Sequence, residues 1–194
     1  SYLEQGYYPF SQEEQFNIRL QQVINKTLEI DIPQYAEINV STARKLKQLL
    51  VIISRSVPFK PNMSSIATMI GVGRNNLSDY FLYLEETELI AQLRDGTGGI
   101  RGLGKIDKVY LDNTNLMYGL VQNTSDIGNI RETFFLNQTR VEQDVIASKI
   151  SDFEISDYIF EVGGKNKKQK QLQGAENGFV VKDNIEQGYM NVIP

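Results

Sequence analysis

The amino-acid sequence predicts an α+β protein in which a winged helix-turn-helix precedes a small α/β domain. Three helix-like patterns of apolar residues occur in succession, the last two separated by a glycine turn. Two short β-type runs then flank a glycine-rich loop. Helices, turn, helix, strand, loop and strand in this order indicate a winged helix. We assign residues 1–36 to a helical segment, 37–112 to the winged helix-turn-helix and 113–194 to the α/β domain.

The N-terminal segment is predicted to form one amphipathic helix. Ser11 and Glu14 have the spacing of a capping box, in which each side chain accepts a hydrogen bond from the other residue's backbone. Pro33 is expected to end the helix. The aromatic-rich residues 2–10 are expected to pack against the domain. The apolar helix face comprises Phe16, Leu20, Val23, Ile24 and Leu28.

Apolar spacing predicts each helix and strand of the winged-helix segment. Pro58 and Pro61 break the chain after the first helix, and the turn Gly71-Val72-Gly73 precedes the third. Five glycines between the two strands suit a flexible wing. The predicted elements are a first helix burying Leu46, Leu49, Leu50, Ile53 and Val57, a second at Met63–Ile70, a third burying Leu77, Tyr80, Phe81 and Leu84, and strands at 89–93 and 109–111.

The start of the third helix is the predicted DNA contact. A winged helix that reads DNA places this helix in the major groove, where Arg and Asn side chains bind guanine and adenine edges. Glu85, Glu86 and Glu88 at its other end would repel phosphates, so a protein-binding or purely structural role is equally open. The predicted contacts are Arg74, Asn75 and Asn76 on the helix and Arg101 and Lys105 on the wing.

After residue 112 the pattern becomes that of a small α/β unit. A helix is predicted over 130–141, with Ile130, Phe134 and Val141 on its buried side. Weak strand patterns follow it, and the strongest one ends at Gly163-Gly164. The predicted strands cover 145–150, 152–155, 158–162, 179–181 and 189–193.

Acidic residues on two of these strands form the candidate metal site. If the strands pair as a hairpin, Asp152 or Glu154 comes close to Glu161. Neighbouring carboxylates suit Mg²⁺ or Mn²⁺, and a lysine beside them can stabilise charge on a phosphate. Lys165 is the candidate lysine and Glu132, from the preceding helix, a supporting carboxylate. Acidic residues that alternate with apolar ones also describe a strand with one wet face, so this alternative stays open.

Composition excludes several classes of protein. The 194 residues include no cysteine and no histidine, which excludes disulfides, thiolate metal sites and histidine-dependent catalysis. No apolar run has the length of a membrane span, and no signal peptide is recognisable, so a cytoplasmic location without membrane contact is expected. The net charge of −4 does not indicate a nucleic-acid binder, although residues 41–60 and 165–170 are locally basic.

Several short motifs, taken in order, resemble one known arrangement. They are GYYPF at 6–10, the helix-turn-helix segment, KVYLDNTNL at 108–116, GNIRE at 128–132 and FEVGGK at 160–165. In this order they resemble the C-terminal half of a family of predicted prokaryotic ATPases of the AAA+ class, common in Bacteroides-type bacteria. In that family a P-loop ATPase domain precedes a helical lid, a winged helix and a C-terminal domain of uncharacterised function.

The resemblance implies a fold and a site for the C-terminal domain. That domain is similar to the PD-(D/E)XK nucleases, so a restriction-endonuclease-like fold is expected for residues 113–194 and a lid-like role for 1–36. Asp152 matches the motif's Asp and Glu161 its second acidic residue, which implies that both bind the metal. The motif lysine would lie at Gly163, and the first lysine is Lys165. Because the sequence lacks a GxxxxGK[ST] motif, ATP is expected only in an ATPase domain outside this chain.

Three functions follow as hypotheses. The first is a non-catalytic region that delivers an ATPase to double-stranded DNA or to a partner protein, and the displaced lysine favours it. The second is a metal-dependent nuclease in which Asp152, Glu161, Lys165 and Glu132 form the active site. The third is a regulatory protein-interaction domain without nucleic-acid contact. Since the chain begins with Ser1 and ends abruptly at Pro194, we expect a piece of a longer protein.

Overall fold

A computed structural model describes residues 1–98, 104–120, 126–167, 172 and 174–194. The fold is mixed α+β, and the chain divides into two compact units. Unit 1 comprises Ser1–Gln92 and Val109–Ser125, and unit 2 comprises Leu93–Lys108 and Asp126–Pro194. Within the described ranges, none of the helices combines the length and the apolar character that crossing a membrane requires.

Unit 1 is built mainly from helices. Short π-helical turns at Tyr2–Gly6 and Thr27–Asp31 flank the first long helix. A two-stranded sheet comes after five of the helices, and each of its strands includes residues of both units. The elements are α1 at Phe16–Lys26, α2 at Ile32–Ala36, α3 at Val40–Ser54, α4 at Met63–Ile70, α5 at Arg74–Glu86, β1 at Ile90–Arg94, β2 at Ile106–Leu111 and α6 at Thr114–Leu120.

Two expectations for the N-terminal segment are wrong. Helix α1 begins at Phe16 after an N-cap residue, Gln15, that makes no side-chain capping bond, so the Ser11–Glu14 capping box does not start it. Pro33 does not end the helical path either, because it occupies the first turn of α2. Proline is tolerated there, since the first N–H groups of a helix have no intrahelical partner. The path ends at Glu37, whose backbone is left-handed with φ 52°.

The apolar faces predicted for the winged-helix segment are confirmed as core. Helices α3, α4 and α5 pack against one another, and the four apolar residues of α5 are buried. Because one face of each helix is removed from water, this packing supplies the main stabilisation of the segment. The buried side chains are Leu46, Leu49, Leu50, Ile53 and Val57 from the α3 region, and Leu77, Tyr80, Phe81 and Leu84 from α5.

A buried amide holds the N-terminal segment in unit 1. Asn115, which is fully buried, accepts a hydrogen bond from the Tyr7 N–H at 2.9 Å. Its Nδ2 donates to the carbonyl oxygens of Tyr2 and Leu3 at 3.0 and 2.9 Å. The nearby Tyr8 hydroxyl accepts a hydrogen bond from Asn113 Nδ2 at 3.3 Å, and burial raises the pKa of this hydroxyl to about 12. The expectation that residues 2–10 pack is therefore confirmed.

Unit 2 is a five-stranded sheet with one helix, α7 at Ile127–Thr139, packed on it. The order is β3-β4-β5-β6-β7, antiparallel from β3 to β5 and parallel from β5 to β7. Phe135 of α7 lies against Phe153 and Phe160, at ring-centroid distances of 5.1 and 5.5 Å. The strands are β3 at Val145–Ala147, β4 at Phe153–Ile155, β5 at Tyr158–Gly163, β6 at Gly178–Lys182 and β7 at Val192–Ile193.

The face predicted for α7 is partly wrong. Ile130 is buried, but Phe134 is 37% exposed, and Val141 is 78% exposed and lies beyond the helix. The helix buries Thr133 and Asn137 instead, together with Leu136. Because two of its buried residues are polar, apolar periodicity alone points to a different side of the helix.

Removing the Asn115 side chain is expected to destabilise unit 1. In Asn115→Ala three hydrogen bonds are lost, and the groups that made them stay shielded from water. We expect the free energy of unfolding to fall by about 2–4 kcal/mol, measured by urea denaturation followed by circular dichroism. Asn166→Ala, at an exposed position in unit 2, is the control and should change little. A fall of less than roughly 0.5 kcal/mol in the free energy of unfolding would contradict the role of Asn115 in holding the N-terminal segment.

Gly119 allows close approach of α6 to α1. A Cβ atom at this position would lie 2.5 Å from Leu20 Cδ2, and Leu20 is fully buried. In Gly119→Ala we expect a net loss of about 1–3 kcal/mol in the free energy of unfolding, because overpacking outweighs the better helix propensity of alanine. Gly73→Ala, whose Cβ meets nothing within 4 Å, is the matched control. Equal stability of the two variants in urea denaturation would refute the packing constraint.

Candidate functional sites

The first turn of α5 presents polar side chains to solvent. Arg74, Asn75 and Asn76 are all exposed, as is Asp79 one turn further on. The N-cap residue is Gly73, so no side chain caps the first N–H groups of this helix. Gly71, with φ +67°, provides the left-handed turn between α4 and α5. Cationic, amide and backbone N–H donors thus occur together at one helix end.

Three glutamates lie at or just beyond the opposite end of α5, whereas the exposed Asp79 lies in its first half. At a rise of 1.5 Å per residue, Glu85 is about 16 Å along the axis from Arg74. Its carboxylate accepts hydrogen bonds from the backbone N–H and the side-chain Nε2 of Gln92, at 3.0 and 2.8 Å. Glu86 and Glu88 are exposed. Glu85 is therefore engaged with β1, and Glu86 is hydrogen-bonded to the Tyr35 side chain.

The loop between β1 and β2 is closed at its base by Asp95. Its Oδ1 accepts hydrogen bonds from the Lys105 N–H at 2.9 Å and from the N–H and hydroxyl of Thr97. The Thr97 hydroxyl is the main cause of the lowered pKa of Asp95. Lys105, a predicted wing contact, is exposed. Arg101, the other predicted wing contact, lies outside the described residues.

Asp152 lies immediately before β4, and Glu161 lies on the neighbouring strand β5. Phe153, the first residue of β4, is opposite Phe160 in the antiparallel β4–β5 register. Asp152 Oδ2 accepts a hydrogen bond from the Val162 N–H at 2.9 Å. Since side chains alternate along a strand, Glu161 points to the sheet face opposite Phe160 and α7.

Glu161 is a buried carboxylate with one partner. Its side chain is 2% exposed, and Oε1 lies 3.2 Å from Nζ of Lys167. Its other oxygen, Oε2, is buried and has no hydrogen-bond partner among the described residues. A buried carboxylate oxygen ordinarily has one, so this atom has unused capacity to bind a cation or a donor.

Lys167, rather than the predicted Lys165, contacts Glu161. Lys165 is exposed, and its carbonyl oxygen accepts a hydrogen bond from Lys182 at 3.2 Å. The Lys167 side chain runs over Gly163: a Cβ at Gly163 would lie 2.6 Å from Lys167 Cγ. Sequence spacing does not reveal this contact, because it depends on the chain turning back after Gly164.

Glu132 is not placed with these carboxylates. It lies on α7 and pairs with Lys108 at 3.3 Å. Helix α7 packs on the Phe160 face, whereas Glu161 points to the other face. In the described part of the chain, no three acidic side chains come together in a group able to hold a metal ion. The candidate acidic site therefore retains Asp152, which accepts a hydrogen bond from the Val162 N–H, and Glu161, which pairs with Lys167.

Comparison with known proteins identifies a family but no characterised relative. No curated protein matches the chain significantly. No solved structure matches it significantly either. Residues 1–127 of the 194 match a family model described as "Domain of unknown function (DUF8612)". The match covers both parts of unit 1 and stops before β3, so Asp152 and Glu161 lie outside it. The chain belongs to the family of this domain of unknown function, DUF8612.

Proposed function

We propose that this chain is a non-catalytic region that binds double-stranded DNA through a winged helix-turn-helix formed by α3, α4, α5 and the β1–β2 hairpin. The observation that carries the proposal is the first turn of α5. Arg74, Asn75 and Asn76 are exposed, while Leu77, Tyr80, Phe81 and Leu84 of the same helix are buried. A recognition helix needs this division between a buried face and base-reading side chains near its N-terminus.

A backbone bridge supports the winged-helix assignment. Phe59, between α3 and α4, exchanges two hydrogen bonds with Val109 of β2, at 3.2 and 2.9 Å. An extended residue after the first helix therefore joins the sheet that follows the third. Within unit 1, this pairing ties the segment between α3 and α4 to β2 through backbone hydrogen bonds.

The charge distribution is compatible with DNA contact at this end of α5. The net charge of −4 disfavours general attraction to a polyanion. The acidic end of the helix lies about 16 Å away, beyond the Debye length of about 8 Å at physiological salt. The repulsion by these glutamates is therefore weak at Arg74. Asp79, about 7.5 Å along the axis from Arg74, is the acidic residue that opposes phosphate contact there.

The resemblance to the AAA+ class supplies the wider setting of the proposal. In this setting the chain is the cytoplasmic C-terminal region of a bacterial ATPase and directs it to DNA. ATP then binds in a domain outside this sequence, since the 194 residues contain no Walker motif. A partner protein in place of DNA is the alternative within the same setting.

A metal-dependent nuclease is the second candidate, favoured by the unpartnered Glu161 Oε2 beside Lys167. Mg²⁺ binds through one or two carboxylates and keeps several waters, so Asp152 and Glu161 are a sufficient protein contribution. The metal would supply Lewis-acid stabilisation of a phosphodiester and an activated water. A restriction-endonuclease-like fold for unit 2 belongs to this candidate. A regulatory interaction domain that never meets nucleic acid is the third.

Replacing the α5 contacts is expected to weaken DNA binding. For the triple variant Arg74→Ala, Asn75→Ala, Asn76→Ala we expect the free energy of DNA binding to become less favourable by about 1–3 kcal/mol or more, because base and phosphate contacts are removed together. The measurement is fluorescence anisotropy with labelled duplexes at 50 and 200 mM salt, expressed as roughly ten- to hundred-fold changes in Kd. Arg19→Ala, an exposed arginine on α1, matches the change in charge and should retain binding.

Two results would overturn the DNA proposal. One is equal affinity of the triple variant and the wild-type chain. The other is no binding by the wild-type chain even at 50 mM salt, where phosphate contacts are strongest. The second result would leave the protein-interaction hypothesis in its place.

A cleavage assay separates the first two candidates. Labelled duplex and single-stranded DNA are incubated with Mn²⁺, Mg²⁺ or EDTA, beside the double variant Asp152→Ala, Glu161→Ala. The non-catalytic proposal predicts no cleavage under conditions in which a known nuclease works. Metal-dependent cleavage that the double variant lacks would instead establish the nuclease, because both carboxylates are then required.

A further inference from the structure

We propose that Lys167 is the basic residue of the Asp152–Glu161 site, reaching it across Gly163 to lie beside a divalent cation held by the two carboxylates. The proposal rests on the metal site of the nuclease candidate. The nuclease motif would place this lysine at position 163, which is a glycine, and the first lysine in the sequence after it is Lys165. The proposal places Lys167 beside the metal instead.

The chain bends back at the required place. After β5 the Lys167 N–H donates to the Gly164 carbonyl oxygen at 2.8 Å, which closes a tight turn. The turn returns the Lys167 side chain over Gly163, where the absence of a Cβ leaves room for it. Its Nζ then lies 3.2 Å from Glu161 Oε1. The Lys167 side chain therefore occupies space that a side chain at position 163 would fill.

The ion pair leaves half of the carboxylate available. A buried carboxylate is costly unless both oxygens are satisfied, and Glu161 Oε2 has no partner among the described residues. The Lys167 side chain is 35% exposed against 2% for Glu161, so the lysine has access to solvent while the carboxylate does not. A cation at Oε2 would complete the neutralisation, with Lys167 placed to meet an anionic ligand of that cation.

Among the described residues, two other lysines near β5 and β6 do not have this geometry. The Lys165 side chain is exposed, and the Lys182 amine is hydrogen-bonded to the Lys165 carbonyl oxygen. Lys165→Gln removes the same charge two residues away and is therefore a matched control for Lys167→Gln.

Electrostatic repulsion determines whether metal affinity rises or falls when the charge of Lys167 is removed. An ammonium group beside a divalent cation repels it and also occupies one of its ligand oxygens. Removing that charge in Lys167→Gln should strengthen metal binding, on the order of ten-fold. A residue that only stabilises the fold would leave metal affinity unchanged or weaken it.

The experiment is a Mn²⁺ titration of the full chain without DNA, followed by water proton relaxation. We expect Mn²⁺ to bind the wild-type chain, Lys167→Gln to bind it more tightly, Lys167→Arg to restore the wild-type affinity, and Lys165→Gln to match the wild type. Glu161→Gln should abolish binding. Circular dichroism checks that each variant is folded.

Gly163→Ala provides a second route if Lys167→Gln does not fold. Its methyl group would displace the Lys167 side chain, so Mn²⁺ affinity should rise as in Lys167→Gln. Absence of Mn²⁺ binding by the wild-type chain, an equal response of Lys165→Gln, or unchanged affinity in Lys167→Gln would overturn the inference. Because no DNA is present, these results are independent of whether the chain binds or cleaves it.

Discussion

The division of α5 into a buried and an exposed face is the constraint on which the proposed function of unit 1 depends. Four apolar residues at helical spacing must leave water, and their burial against α3 and α4 fixes the rotation of the helix about its axis. Once that rotation is fixed, the side chains of Arg74, Asn75 and Asn76 are exposed to solvent. The buried face of α5 therefore determines which polar side chains of the helix are accessible to a ligand.

In unit 2 the same role belongs to the alternation of side chains along β5. Phe160 faces α7 and packs with Phe135, so Glu161 must point to the other face of the sheet. There it is buried, which makes its carboxylate dependent on nearby cations. Lys167 provides one, and Oε2, which has no hydrogen-bond partner in the part of the chain that the structure describes, has capacity for another. The apolar packing on one face thus creates an electrostatic requirement on the opposite face.

Sequence reasoning was reliable where apolar residues alone set the structure. The helices α3, α4 and α5 and strand β5 follow from apolar periodicity. The pairing of β4 with β5 follows once a hairpin is assumed. It failed where polar residues are buried. Because Thr133 and Asn137 are polar, apolar periodicity does not identify the packed face of α7. The residue spacing also does not predict that Asn115 binds the N-terminal segment. These contacts depend on tertiary geometry, which a linear pattern does not contain.

The lysine of the acidic site shows the same limit at a single residue. A linear motif requires the lysine on the same strand as the acidic residue, two positions later, because that spacing puts both side chains on one face. The structure reaches an equivalent placement by another path. Glycine at 163 leaves the place above the strand open, and a turn closed by Gly164 brings Lys167 into it. A missing motif residue therefore does not imply a missing charge, because a side chain from the following turn can occupy the same space.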